Sequence, residues 1–144
     1  MNELKFNSQV CTTKEQSQRL LDLGLKPETA DMVLLKELAY DEVAHCIYDA
    51  DTYMIRPIDY LVGEKHRGHI PAWSLHRLIE MLPTVITQDY YSLILGINAT
   101  CIYYADNEYA ETFKAIECNL YDCVVKCIEW LIKEDYFNKE YLKQ

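Results

Sequence analysis

The sequence predicts an α+β fold: a single domain over residues 1–144, with an antiparallel sheet, a central helix, and a buried C-terminal helix packed on the sheet. Three observations carry that reading. Leu120, Cys123, Val124, Cys127, Ile128 and Leu131 form one apolar stripe at helical spacing, widened by Tyr121, Val125 and Ile132. Residues 90–97 and 101–104 are aromatic and aliphatic strand formers on either side of Asn98-Ala99-Thr100, the length of a hairpin loop. Between them and the N-terminus, Leu75, Leu78, Ile79 and Leu82 follow the pattern of a core-facing helix that Pro83 stops.

The first helix opens at Thr12-Thr13-Lys14-Glu15, where a threonine hydroxyl can cap free amides and Glu15 can reach back in a capping box. Leu20, Leu21 and Leu23 supply its apolar side. Gly24 stands where a left-handed C-terminal cap is needed, and Leu25 can fold back onto the last turn. Pro27 starts a short turn.

Residues 32–48 fit two patterns. As strands, one is expected near 32–36 and a second near 52–58, with Pro57 at its end because proline cannot donate to a ladder. As a helix, Glu37, Asp41, His45 and Asp49 fall at successive i, i+4 steps on one polar line. Residues 61–70, with Gly63, Gly68 and several charges, are expected as an exposed loop. Ser74 is a natural N-cap for the central helix. After the hairpin, Asp106-Asn107-Glu108 makes a turn and residues 109–116 can return as a third antiparallel strand, though their weaker alternation also fits the start of a helix. Asn119 caps the last helix, whose polar line of Asp122, Lys126, Glu129 and Lys133 is expected to pair along the helix.

The helix from Glu15-Gln16-Ser17 to Leu23-Gly24-Leu25, the Thr29-Ala30-Asp31-Met32 step, Ile70-Pro71-Ala72-Trp73-Ser74-Leu75 closing at Leu82-Pro83, and Ile128-Glu129-Trp130-Leu131-Ile132 together resemble a group of small proteins carried by prophages and mobile elements of gut Bacteroidetes. The resemblance spans most of the chain and implies a bacterial or phage origin. It brings no catalytic residues.

Charge narrows the function. Fourteen Lys and Arg against 23 Asp and Glu leave a net charge of -9. Nucleic-acid binding draws on clustered basic residues, and the densest basic stretch is only Lys65-His66-Arg67-Gly68-His69, so no nucleic-acid partner is expected. No apolar run is long enough to span a membrane, and Met1-Asn2-Glu3-Leu4-Lys5 lacks the apolar stretch of an export signal; a cytoplasmic protein without membrane contact is expected. The six cysteines are expected as core thiols. Cys123 and Cys127 lie at i, i+4 on the apolar helix face, and C-x4-C-x3-C is a poor zinc pattern.

Chemistry has few candidates. If 32–49 were helical, Asp41, His45 and Asp49 could share a divalent cation with a loop histidine, His66 or His69, as in a small metal-dependent hydrolase. No G-x-S-x-G elbow is present, Ser74 is better used as a cap, and the four glycines are too scattered to cradle a phosphate; no cofactor is expected. Twelve of the 17 aromatic residues are tyrosines, which join an apolar face to a polar tip and suit both protein interfaces and half-buried sheets. Alternation sends Tyr90 and Tyr91 to opposite faces, and likewise Tyr103 and Tyr104, so one of each pair should be core and the other outward. Those four and Trp73, which equally suits a core anchor, are the candidate binding residues of a non-enzymatic, protein-binding or regulatory protein, with a protein partner or a homodimer as the contact.

Overall fold

Thr13, rather than Thr12, opens the first helix, α1 (Lys14–Asp22): its hydroxyl accepts from the Gln16 amide while the Gln16 side chain accepts from the Thr13 amide. The capping box therefore closes on Gln16 and not on Glu15, because the helix begins one residue later than the sequence pattern suggests. That shift frees Thr12 to turn inward, where its hydroxyl meets Ser17 Oγ at 2.7 Å and accepts from the Trp73 amide at 3.0 Å. The structure, a computed structural model, describes residues 8–61, 69–88, 91–108 and 110–144. At the other end of α1, Gly24 adopts φ 101, a left-handed conformation that glycine takes at low cost. The Gly24 and Leu25 amides donate to the Leu21 and Leu20 carbonyls, a Schellman closure that buries Leu25 completely.

The chain then builds two antiparallel sheets. In the first, β1 (Met32–Asp41) lies between β2 (Cys46–Pro57) and the short β3 (Ile70–Ala72). Residues 32–49 thus form no helix. They form β1, a tight reversal and the start of β2; β1 runs past the expected 32–36 to Asp41, and β2 begins at Cys46, ahead of the expected 52–58, and ends at Pro57. A register shift between Lys36 and Leu38 interrupts the ladder and adds local twist. Residues 62–68 lie outside the described part of the chain, so the expected loop there is not placed.

The second sheet has the order β4-β5-β6-β7, with β4 (Val85–Thr87), β5 (Ser92–Asn98), β6 (Cys101–Ala105) and β7 (Glu111–Ile116). Asn98 pairs with Cys101, so the β5–β6 hairpin closes on two residues, Ala99 and Thr100, rather than three. α2 (Leu75–Glu80) is capped by Ser74, which accepts from the Arg77 amide at 3.2 Å. Asp31 holds that cap in place, accepting from the Ser74 amide at 2.8 Å and the Ser74 hydroxyl at 2.5 Å.

The last helix, α3 (Leu120–Lys133), lies across the inner face of the four-stranded sheet. Asn119 caps it by accepting from the Tyr121 amide at 2.7 Å. Its stripe, Cys123, Val124, Val125, Cys127, Ile128 and Leu131, is buried against Ile86, Leu93, Ile102, Tyr104 and Ala115. Each large aliphatic side chain fully removed from water contributes roughly 1.5–3 kcal/mol, so this stripe carries much of the fold's stability. The polar line does not pair along the helix as expected. Asp122 accepts from Gln16, Glu129 pairs with Arg19, and Lys126 pairs with Glu117, so the line ties α3 to α1 and to the chain entering α3. The C-terminal segment closes on the α1 turn through Lys26 to the Tyr141 carbonyl and Lys143 to the Gly24 carbonyl, each 2.8 Å. Among the described residues no helix is long and apolar enough to cross a membrane.

Candidate functional site

The four-stranded sheet has two faces of opposite character. Ladder pairs alternate between them: Ile86 with Leu93, Tyr104 with Phe113, and Ile102 with Ala115 point to α3 and the core. Val85 with Ile94, Gly96 with Tyr103, and Cys101 with Ile116 stand on the other face. There Val85, Ile94 and Ile116 keep about half or more of their surface in water. By alternation the outward positions of β4, β5 and β6 are Val85, Thr87, Ser92, Ile94, Gly96, Asn98, Cys101, Tyr103 and Ala105; Cys101 and Ala105 are covered by their neighbours, and none of the nine is charged. Among the described residues charge returns at the margins of this face, at Asp106 after β6 and on the outer strand β7, where Lys114 pairs with Glu111 at 3.3 Å.

Tyr103 shapes this face. Its ring lies over Gly96 on the neighbouring strand, in the space a Cβ there would fill, and covers glycine backbone that would otherwise meet solvent. A shallow depression of about 210 Å³ opens beside it, lined by Ile94, Gly96, Tyr103, Ala105, Asp106 and Asn107. Alternation thus splits the Tyr103–Tyr104 pair as expected, with Tyr103 outward. Tyr104 is fully buried: its hydroxyl donates to the Pro83 carbonyl at 2.7 Å and its ring stacks on Trp130 at 5.7 Å. Burial also raises its pKa, because the phenolate would lose its solvation.

Of the remaining predicted surface residues, Tyr91 is exposed just ahead of β5, and Tyr90 lies outside the described residues. Trp73 is no surface residue. It is fully buried, its indole donates to Thr29 Oγ1 at 2.9 Å, and its backbone exchanges hydrogen bonds with Thr12. Tyr104 and Trp73 are therefore removed from the candidate surface and belong to the core. Sequence reasoning missed Val85, Ile94 and Ile116, which had an available signal in their alternation with Ile86, Leu93 and Ala115.

The proposed metal ligands are not arranged as a helix would place them. Asp41 ends β1 and its Oδ1 accepts from the amides of Val43 and Ala44 at 2.9 and 3.1 Å, which makes it a turn cap. His45 closes the turn at φ 51, with Nδ1 3.3 Å from the Tyr40 hydroxyl. Asp49 pairs with Leu38 further down the ladder. Its side chain is outside the described part, as is His66, and His69 precedes β3 on the far side of β1 from β2. Among the described residues no three His, Cys, Asp or Glu side chains gather closely enough to hold a metal ion.

A concavity of about 560 Å³ lies between residues 8–15 and the β1–β2 face that carries Leu34, Lys36, Tyr53 and Ile55. Cys11 is its buried thiol. Burial pushes the Cys11 pKa up to about 11, with Asp31 adding to the rise, so the group stays protonated near neutral pH and is a poor nucleophile. Lys14 sits over the Tyr53 ring at 5.8 Å at the mouth of this groove. Cys101, Cys123 and Cys127 are buried as expected, whereas Cys46 and Cys118 are exposed and are not core thiols. Burial pushes Cys127 up to about 12 and raises Cys123.

Compared with protein-family models, with curated proteins and with solved structures, the chain matches none.

Proposed function

We propose that this protein acts by protein contact rather than catalysis, and that the outer face of the four-stranded sheet joins two copies of the chain. The observation that carries this reading is the charge pattern. A chain with net charge -9 repels its own copies over most of its surface, yet the outward positions of three adjacent strands of this face carry no charge and expose Val85 and Ile94, with Tyr103 half-buried beside them. Apolar area that remains in water on one face and can meet its own kind across a two-fold axis is the ordinary basis of a homodimer. Tyr103 suits the centre of such a contact, since its ring is held against Gly96 and loses little freedom on binding. The resemblance to proteins of Bacteroidetes prophages and mobile elements fits a small regulatory protein of this kind.

Native mass spectrometry of the purified chain tests the reading. A dimer that carries no further mass is expected. A monomer that carries a stoichiometric metal or small molecule, lost on His45→Ala, would overturn it.

A further inference from the structure

The β1–β2 hairpin is longer than the fold needs. β3 pairs with β1 only at Met32, Val33 and Leu34, whereas the β1–β2 ladder continues to Asp41 and Cys46. Beyond Leu34, among the described residues, β1 has no strand on its other side. At roughly 3.3 Å per residue the seven residues to Asp41 carry the ribbon some 23 Å. None of the described side chains between Lys36 and Ile47 joins either hydrophobic core.

A two-stranded ribbon standing alone in water is marginal, and apolar groups at its end cost solvation. This one nevertheless ends in a built turn, held by Asp41, with Tyr40, Val43 and Ile47 exposed at 58%, 91% and 67%. Tyr40 and Ile47 face each other across the ladder and Val43 stands at the apex, so the three make one apolar tip. From Glu37 to Asp51 the arm carries Glu37, Asp41, Glu42, Asp49 and Asp51 and no lysine or arginine, and Lys36 stands at its base.

We infer that this ribbon is a docking arm whose apolar tip enters a cleft on a basic protein. Charge decides the occupant. A second copy of this acidic chain, a nucleic-acid backbone and an anionic lipid surface would each repel the arm, whereas a cleft rimmed by lysine and arginine attracts it and the cleft floor takes up Val43 and Ile47. Nothing in this inference depends on the sheet face: the arm is on the other sheet.

The test selects peptides from a random twelve-residue display library on the immobilised full-length chain, with counter-selection on V43S/I47S, which keeps the arm's charge. The expected pool is rich in Lys and Arg beside aliphatic or aromatic residues. Its members bind the wild-type chain about tenfold more tightly than the variant, the scale of losing a small hot spot, and weaken in 0.3 M salt. V43S alone, at a fully solvated apex, repeats the comparison should the double variant unfold at lower temperature. No pool that distinguishes the chains, or a pool of neutral or acidic peptides, would overturn the inference. So would a dimer that V43S/I47S dissociates, or binding to phosphatidylserine vesicles that the same variant abolishes.

Discussion

The ring of Tyr103 on β6 lies over Gly96 on β5, so that one residue supplies the side chain and the other the vacancy it fills. The pair is central to the outward face of the sheet, and the first prediction rests on it. Gly96→Ala puts a methyl group where the ring now lies. Because the obstructing atoms are at the far end of a side chain, Tyr103 can swing away at a cost of about 1–2 kcal/mol. In a double-mutant cycle, the loss on Gly96→Ala should shrink when Tyr103 is already serine, since the clash is then absent. Thermal unfolding of the four proteins measures it; strictly additive losses would show that the ring does not rest on residue 96.

Trp73 ties the two sheets together. It follows β3 directly, packs into the main core, and donates to Thr29 from its ring. Trp73→Ala is expected to cost about 3–5 kcal/mol, in line with other large aromatic truncations. Thr29→Val should cost about 1–3 kcal/mol by leaving a buried indole N–H without its acceptor. Denaturant midpoints at constant slope distinguish these from a loss of compactness.

Thiol exposure divides the cysteines. Cys46 and Cys118 should react with a maleimide in the native state, while Cys11, Cys101, Cys123 and Cys127 wait for unfolding. Intact-mass spectrometry over time reads this as two fast additions followed by a slow phase. Fast labelling of Cys123 or Cys127 would contradict their placement on the buried face of α3.

The same burial sets a pH dependence. Cys127 is pushed from 9.0 up to about 12 and Cys11 to about 11, mainly because the thiolates would lose solvent. Above pH 9 the unfolded chain gives up these protons and the folded chain keeps them. The folded state then binds more protons, and stability falls as pH rises. The stability these thiols contribute is therefore complete below about pH 9 and lost between there and about pH 12. Cys127→Ala should flatten that decline in urea midpoints measured across the range, and an unchanged decline would assign it to other groups.

Arg19 and Glu129 join α1 to α3, but each side chain is about half exposed. Arg19→Gln should therefore cost no more than about 1 kcal/mol, and less in high salt. By contrast Asn119→Ala removes a helix cap that also donates to Gln9 at 2.8 Å, and about 1 kcal/mol or somewhat more is expected.

How much of this was legible in the sequence follows from range and length. The stripe of α3 was legible because seven buried positions repeat at one helical period, and the β5–β6 hairpin because its aromatic runs alternate around a short loop. β3 and β4 are three residues long, too short for any period to show. The polar spacing of Glu37, Asp41, His45 and Asp49 imitates a helix face because a ribbon that leaves the core toward its tip need not alternate apolar and polar residues there. Asp31 holding Ser74 depends on two residues 43 apart, which local pattern cannot reveal. Alternation separated Tyr103 from Tyr104. Which of them faces inward was decided only by the Trp130 ring that Tyr104 and Phe113 stack on.

Sedimentation equilibrium of the wild-type chain beside Ile94→Asp, each checked for unchanged thermal unfolding, tests the proposed contact face most directly. Ile94 is outward and half-exposed, so a carboxylate there leaves the core intact while placing charge in the middle of the uncharged face. A wild-type dimer and a folded monomeric variant are expected. A wild-type chain that stays monomeric at high concentration, or a dimer that Ile94→Asp leaves intact, would contradict the assignment of this face.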